Sequence, residues 1–150
     1  MLATMPMIVV GADTVAGDAI LGRLHAPERE IRVFVTDEAR ARDLRERGFK
    51  VATGDVSDES HVEAASLRCF SAVLIAEAAE DPRERSFATT ADAVLAGWAR
   101  AMSNSGVQRV IWVTEGDQPD TKAPEVAVVD PSGPGFAERV LALDDAASLR

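Results

Sequence analysis

At 150 residues and a formal charge of −9, the chain has the length of one domain with room for an apolar core. Its acidity excludes nucleic acid and anionic membrane surfaces as partners, because both select a basic face. Hydrophobic residues make up 47% of the sequence and aromatic residues 5%, so the core must be mostly Ala, Val, Leu and Ile, an α/β composition rather than a β-sandwich one.

A lone cysteine, Cys69, excludes an internal disulfide and indicates a reducing compartment. It lies in the apolar stretch RCFSAVLIA, where a buried, inert thiol is the natural reading. No apolar run approaches the roughly 20 residues of a membrane span. The opening MLATMPM lacks a basic n-region, so no signal peptide is expected and the reading is cytoplasmic.

In chain order, residues 7–10 form a short apolar run closed by Gly11, the pattern of a strand buried on both faces. Residues 15–24 follow as a helix with Ile20, Leu21 and Leu24 on one face, and Pro27 ends that region. Residues 31–35 are a second strand, and Asp37 is placed to cap a charged helix running to about Arg47, with Gly48 at its C-terminal end. A third strand spans residues 49–53, and Asp58 caps a short helix carrying Val62, Ala65 and Leu67 inward. Residues 72–76 make the fourth strand.

A long helix is expected after Pro82, with Phe87, Ala91, Val94, Leu95, Trp98 and Met102 on a single buried stripe and Gly106 as its stop. Residues 110–114 form the fifth strand. Five apolar strands alternating with four helices predict a doubly wound, mainly parallel sheet with right-handed crossovers. Residues 115–125 are polar and proline-bearing, hence a surface loop. Residues 125–129 offer a sixth, edge strand, and residues 136–149 a last helix with Phe136, Val140, Leu143 and Ala147 on one side. Residues 1–150 thus read as one domain of five to six strands.

Ligands of such sheets sit beyond the carboxyl ends of the strands, at the switch point. The first strand ends in Gly11-Ala-Asp-Thr-Val-Ala-Gly17, a glycine-bearing turn leading into a helix, where free N–H groups and the helix dipole suit a pyrophosphate. This turn, with the later segments RGFKVATGDV, LRCFSAVLIA and SGVQRVIWVT, resembles the atypical short-chain dehydrogenase/reductases, especially their NmrA-like group. That group has a G-A-T-G-x-x-G turn, then x-x-G-V-E-V-V-x-G-D-L, L-x-G-x-D-A-V and A-G-V-x-R-x-V-x-x-S segments. The matching stretches occur in order over about 70% of the chain.

The resemblance implies a Rossmann-type domain and an NAD or NADP cofactor. Gly11, Asp13, Thr14, Val15, Ala16 and Gly17 would meet its pyrophosphate, Thr36 and Asp37 the adenosine ribose, Asp55 and Val56 the adenine, and Ala76 and Glu77 the nicotinamide side. NAD is the preferred form, because an acidic residue after the second strand suits ribose hydroxyls and repels a 2′-phosphate. The plainer reading makes Asp37 a helix cap and Asp55 a turn residue.

The sequence departs from the family pattern at three places. Thr14 replaces the middle glycine and puts a β-branched side chain where backbone should approach phosphate. Asp13 adds a carboxylate, whose repulsion of a phosphate charge at 4 Å is about 1 kcal/mol in water and about 4 kcal/mol at an effective dielectric of 20. The chain contains no tyrosine, whereas catalytic members carry a Tyr-x-x-x-Lys pair after the fifth strand as proton donor and its activator; here that region reads EGDQPDTKAPE. Only about 35 residues follow the fifth strand, fewer than the family's substrate region needs.

No catalytic residue and no metal ligand is assigned. His25 and His61 lack a companion at ligand spacing and read as surface residues, and Asp144-Asp145 could bind a cation only with partners that the sequence does not show. Arg40, Arg42, Arg45 and Arg47 alternate with carboxylates as a solvated helix face. Three functions stay open: a non-catalytic dinucleotide sensor or regulator, a protein-interaction subunit with a decayed cofactor site and no cofactor, and a reductase with an unconventional proton donor. The Phe87–Trp98 stripe is first of all core; in the family the same helix often packs against its mate in a homodimer.

Overall fold

The computed structural model describes residues 5–25, 28–81 and 85–149. Pro27, Pro82 and the first four residues, on which the expected helix boundaries and the reading of the N-terminus rest, lie outside them.

Six parallel strands form one sheet in the order β3-β2-β1-β4-β5-β6. They are β1 (Met7–Val10), β2 (Ile31–Val35), β3 (Lys50–Thr53), β4 (Ser71–Ile75), β5 (Arg109–Val113) and β6 (Glu125–Val129). The helices among the described residues are α1 (Val15–Leu21), α2 (Glu38–Glu46), α3 (Glu59–Ala65), α4 (Glu77–Glu80), α5 (Ala91–Ser105) and α6 (Phe136–Asp145). Strand order reverses between β1 and β4, which sets the carboxyl ends of those two strands at the mouth of a crevice.

The unbroken apolar runs arise because both faces of the sheet are covered. Met7, Val9, Ile31, Val33, Val73, Ile75, Ile111 and Val113 pack with Ile20 and Leu21 of α1, Leu44 of α2 and Val140 of α6. Ile8, Val10, Phe34, Ala72, Leu74, Val110 and Trp112 pack with Val62 of α3 and Val94, Trp98 and Met102 of α5 on the opposite face. Trp98 is fully buried, and its indole N–H donates to the Val56 carbonyl at 2.7 Å. The α5 stripe is therefore core within this chain, and the outward side chains Asp92, Arg100, Ser103 and Asn104 are exposed.

Local caps follow the sequence closely. The Asp37 carboxylate accepts from the Ala39 and Arg40 amides, Asp58 from the His61 amide, and Gly106 ends α5. Two apolar positions do not go where periodicity sent them. Phe87 is 67% exposed, because α5 starts at Ala91 with Thr90 as its cap and Phe87 precedes the helix. Leu67 is 50% exposed, because α3 has already ended at Ala65.

The last third is tied to the sheet by a buried cation. Arg109 on β5 is fully buried; its guanidinium donates to Glu125 on β6 and to the carbonyls of Leu143, Asp144 and Ala146 at the end of α6. These carbonyls carry the negative end of the helix dipole, so the cation meets both a carboxylate and a helix terminus. Asp144 is also buried, accepting from the Ser71 hydroxyl and pairing with Arg29 at 2.6 Å. The α6 helix ends at Asp145, short of Ala147, which is exposed.

Candidate functional site

The turn after β1 is built by close backbone approach. Gly11 has φ +87°, and a Cβ there would stand 2.8 Å from the Ala78 Cβ. A Cβ on Gly17 would lie 2.5 Å from the Ala12 carbonyl oxygen. Glycine at both positions lets α1 start directly against the end of the strand.

Thr14 caps α1. Its hydroxyl donates to the Gly11 carbonyl at 2.6 Å and accepts from the Gly17 amide at 3.0 Å. The side chain is buried, so the β-branched group expected over the turn is folded under it instead. The next two amides face outward, and both meet one carboxylate: the Val15 N–H donates to Glu77 Oε2 at 3.2 Å and the Ala16 N–H to Glu77 Oε1 at 3.3 Å. Glu77 is the first residue of α4, directly after β4.

Asp13 does not direct its charge at those amides. Its Oδ2 accepts from the Thr36 and Asp37 amides at 2.9 and 3.0 Å, so it braces the end of β2. The charge conflict that the sequence placed on Asp13 belongs to Glu77. Thr36 in turn donates its hydroxyl to the Gly54 carbonyl at 3.0 Å. Asp37 Oδ1 caps α2, as the plainer reading has it. Arg40, the α2 cation nearest this corner, is paired with Asp18 of α1.

Asp55 and Val56 form a separate group beyond β3. Asp55 Oδ1 accepts from the Ser57 amide and hydroxyl, and Oδ2 from the Ser86 amide at 2.6 Å. Burial alone would raise its pKa, but these bonds from Ser57 and Ser86 together outweigh it and hold the carboxyl below the usual range. Val56 is buried beside Trp98. His61 is not a surface residue: its ring is half-buried edge-on against Phe34, with centroids 4.9 Å apart, while His25 is exposed.

A cleft of about 630 Å³ opens at the ends of β4 and β5. Of the sequence-selected residues it brings together Val15, Ala16, Ala76 and Glu77; Gly11, Asp13, Thr14, Gly17, Thr36, Asp37, Asp55 and Val56 lie outside its lining. Ile75, Leu95, Val113 and Phe136 supply an apolar floor. Among the described residues the charged side chains lining it are all carboxylates: Glu77, Glu80, Asp92, Glu115 and Asp117. Glu80, Asp92, Glu115 and Asp117 were not singled out from the sequence; their only signal there was a position just after a strand or at a helix start. Thr114 lines the cleft too, and its hydroxyl accepts from the Gly116 amide at 3.1 Å. No group of three or more metal-ligating side chains occurs among the described residues, and no helix among them is long and apolar enough to cross a membrane.

The turn fits an anionic group, since two successive amides already hold a carboxylate there and no Cβ crowds positions 11 and 17. A family model described as NAD(P)H-binding matches residues 11–144. No curated protein matches the sequence. Among solved structures, an anaerobillin reductase from Escherichia coli O157:H7 is similar at 24% identity and TM-score 0.56, over 73% of this chain and 50% of that one. A triphenylmethane reductase from Citrobacter sp., complexed with NADP(H), is similar at 20% identity and TM-score 0.59, over 72% of this chain and 36% of that one. An NADPH-dependent quinone oxidoreductase from Escherichia coli, complexed with NADPH, is similar at 19% identity and TM-score 0.55, over 72% of this chain and 36% of that one. The matches thus span between about a third and half of those proteins, and at these identities they show the shared fold.

Proposed function

This chain belongs to the NAD(P)H-binding family, and from that membership and the geometry of the β1–α1 turn we propose a weakly binding, non-catalytic dinucleotide domain of the NmrA-like kind, acting in the cytoplasm as a sensor or regulator. The observation that carries this reading is the pair of outward amides at Val15 and Ala16, presented to an anion above a turn closed by Gly11 and Gly17. The dinucleotide complexes of two structurally similar proteins support it.

Catalysis by the chain alone is disfavoured by its side chains. Carbonyl reduction needs a proton donor at the developing alkoxide, worth typically 10²–10⁴-fold in rate. The sequence has no tyrosine, the Thr114 hydroxyl is engaged with Gly116, and Lys122 lies in the exposed loop before β6. NAD(H) is favoured over NADP(H): Asp13 and Asp37 gather negative charge at the end of β2, and Arg40 is committed to Asp18.

Calorimetry and thermal shift with NAD, NADH, NADP, NADPH and AMP test the reading. A ligand at a hundredfold excess over its Kd stabilises the fold by about 2.7 kcal/mol. We expect weak but saturable binding, with NADH ahead of NADPH; a tighter Kd for NADPH would refute the preference. No binding of any dinucleotide would instead favour an interaction subunit with a decayed cofactor site, a reading that the engaged carboxylates of Asp13, Asp37 and Glu77 also suit.

A further inference from the structure

We propose that Glu77 is a built-in competitor for the dinucleotide's phosphate, an autoinhibitory contact that a bound ligand must displace; this rests on the reading of the chain as a dinucleotide-binding domain. Glu77 stands 61 and 62 residues from its partners in sequence, so no local capping preference places it. It reaches the turn because β4 lies beside β1 in the sheet and α4 begins where β4 ends.

The contact has the properties of a removable plug. Each carboxylate oxygen takes one of two adjacent amides at 3.2 and 3.3 Å, longer than the usual 2.9–3.0 Å N–H···O mode. Glu77 and Val15 are exposed and Ala16, though buried, lines the cleft, so the side chain can rotate away without opening a cavity, and a ligand can approach the two amides from the cleft. A phosphate oxygen would use the same two donors and carries the same sign of charge, so the two anions exclude each other. When displaced, Glu77 stays in a cleft whose other charged side chains are Glu80, Asp92, Glu115 and Asp117. Among the described residues no cation lines that cleft to receive it, which holds the affinity of the open site down and lets the protein respond only to abundant dinucleotide.

The test is calorimetry on the full chain and its Glu77→Gln and Glu77→Ala variants, with NADH and separately with inorganic pyrophosphate. Affinity for both should rise about tenfold or more in Glu77→Ala, and by less in Glu77→Gln, which keeps an acceptor but loses the charge. Circular dichroism checks folding of each variant; should Glu77→Ala fail to fold, Glu77→Ser, short and uncharged, takes its place with the same expected gain. Wild-type protein that binds NADH, with variants that bind it no more tightly, would overturn the competitor role and leave the dinucleotide reading standing. Failure of NADH to bind the wild type and every variant would overturn both.

Discussion

Arg109 and Glu125 are Cα partners across the β5–β6 pair, and Glu125 Oε1 accepts from both Nε and Nη2 of Arg109 at 3.1 and 2.9 Å. The same guanidinium closes the end of α6, and the other Glu125 oxygen accepts from the Leu149 amide at 2.8 Å. One buried cation thus joins the edge strand, the last helix and the C-terminal segment. Arg109→Met leaves a carboxylate and three carbonyls without their donor. Breaking a buried pair from one side costs about 3–5 kcal/mol, and for a chain of this size each kcal/mol lowers Tm by about 2–4 °C. Calorimetric unfolding should show Tm lower by on the order of 10 °C. A shift within 2 °C would mean the network is not what secures β6 and α6.

Gly17→Ala tests the turn. Alanine gains about 1 kcal/mol of helix propensity over glycine, but its Cβ would lie 2.5 Å from the Ala12 oxygen and 2.7 Å from the Gly11 oxygen. Backbone on both sides cannot yield as a flexible side chain would, and such overpacking typically costs about 1–3 kcal/mol. The clash wins. Urea unfolding should show a net loss of up to about 2 kcal/mol, together with loss of any NADH binding seen in the wild type. A more stable variant would show that α1 slides freely against β1.

Asp55 makes stability depend on pH with a definite sign. Its folded-state pKa lies below the ordinary carboxylate value, so its contribution is fully present above the unfolded pKa of about 3.9. That contribution fades as pH falls through the folded value. Hydrogen bonds to a charged group are worth about 1.5–3 kcal/mol, so Asp55→Asn should lose about 1–3 kcal/mol at pH 7 and nearly the same at pH 5. The gap to wild type should shrink below pH 4. A gap that is constant from pH 7 to pH 3 would remove the carboxylate's charge from the account.

Burial pushes the Cys69 thiol up to about 11, Glu30 adding to the rise while the nearby Arg32 and Arg29 oppose it. The thiolate is the reactive form, so little is present at pH 8 and it is shielded from solvent. Labelling by a disulfide reagent should run at least a hundredfold slower than for the urea-unfolded chain. Its rate should track urea unfolding across the transition. Rapid labelling of the native protein would place Cys69 at an opening in the α3–β4 region.

The apolar runs at 7–10, 72–76 and 110–114 were readable as buried strands because both faces of the sheet are covered, which removes alternation and leaves continuous apolar stretches. Asp37, Asp58 and Gly106 were readable as helix ends because a cap acts within four residues of itself. The glycine turn was readable for the same reason. What happens at long sequence separation was not. Asp13, Glu77 and Arg109 could each have been solvated or paired, and a charged side chain carries no record of which distant amide or carbonyl it will meet. Strand order made the choice: β1 between β2 and β4 brings Asp13 to the Thr36 and Asp37 amides and Glu77 to the Val15 and Ala16 amides. Burial at the β5–β6 edge then commits Arg109 to Glu125 and the end of α6. Local backbone chemistry wrote the turn into the sequence; only the packing of the sheet decided which anion stands over it.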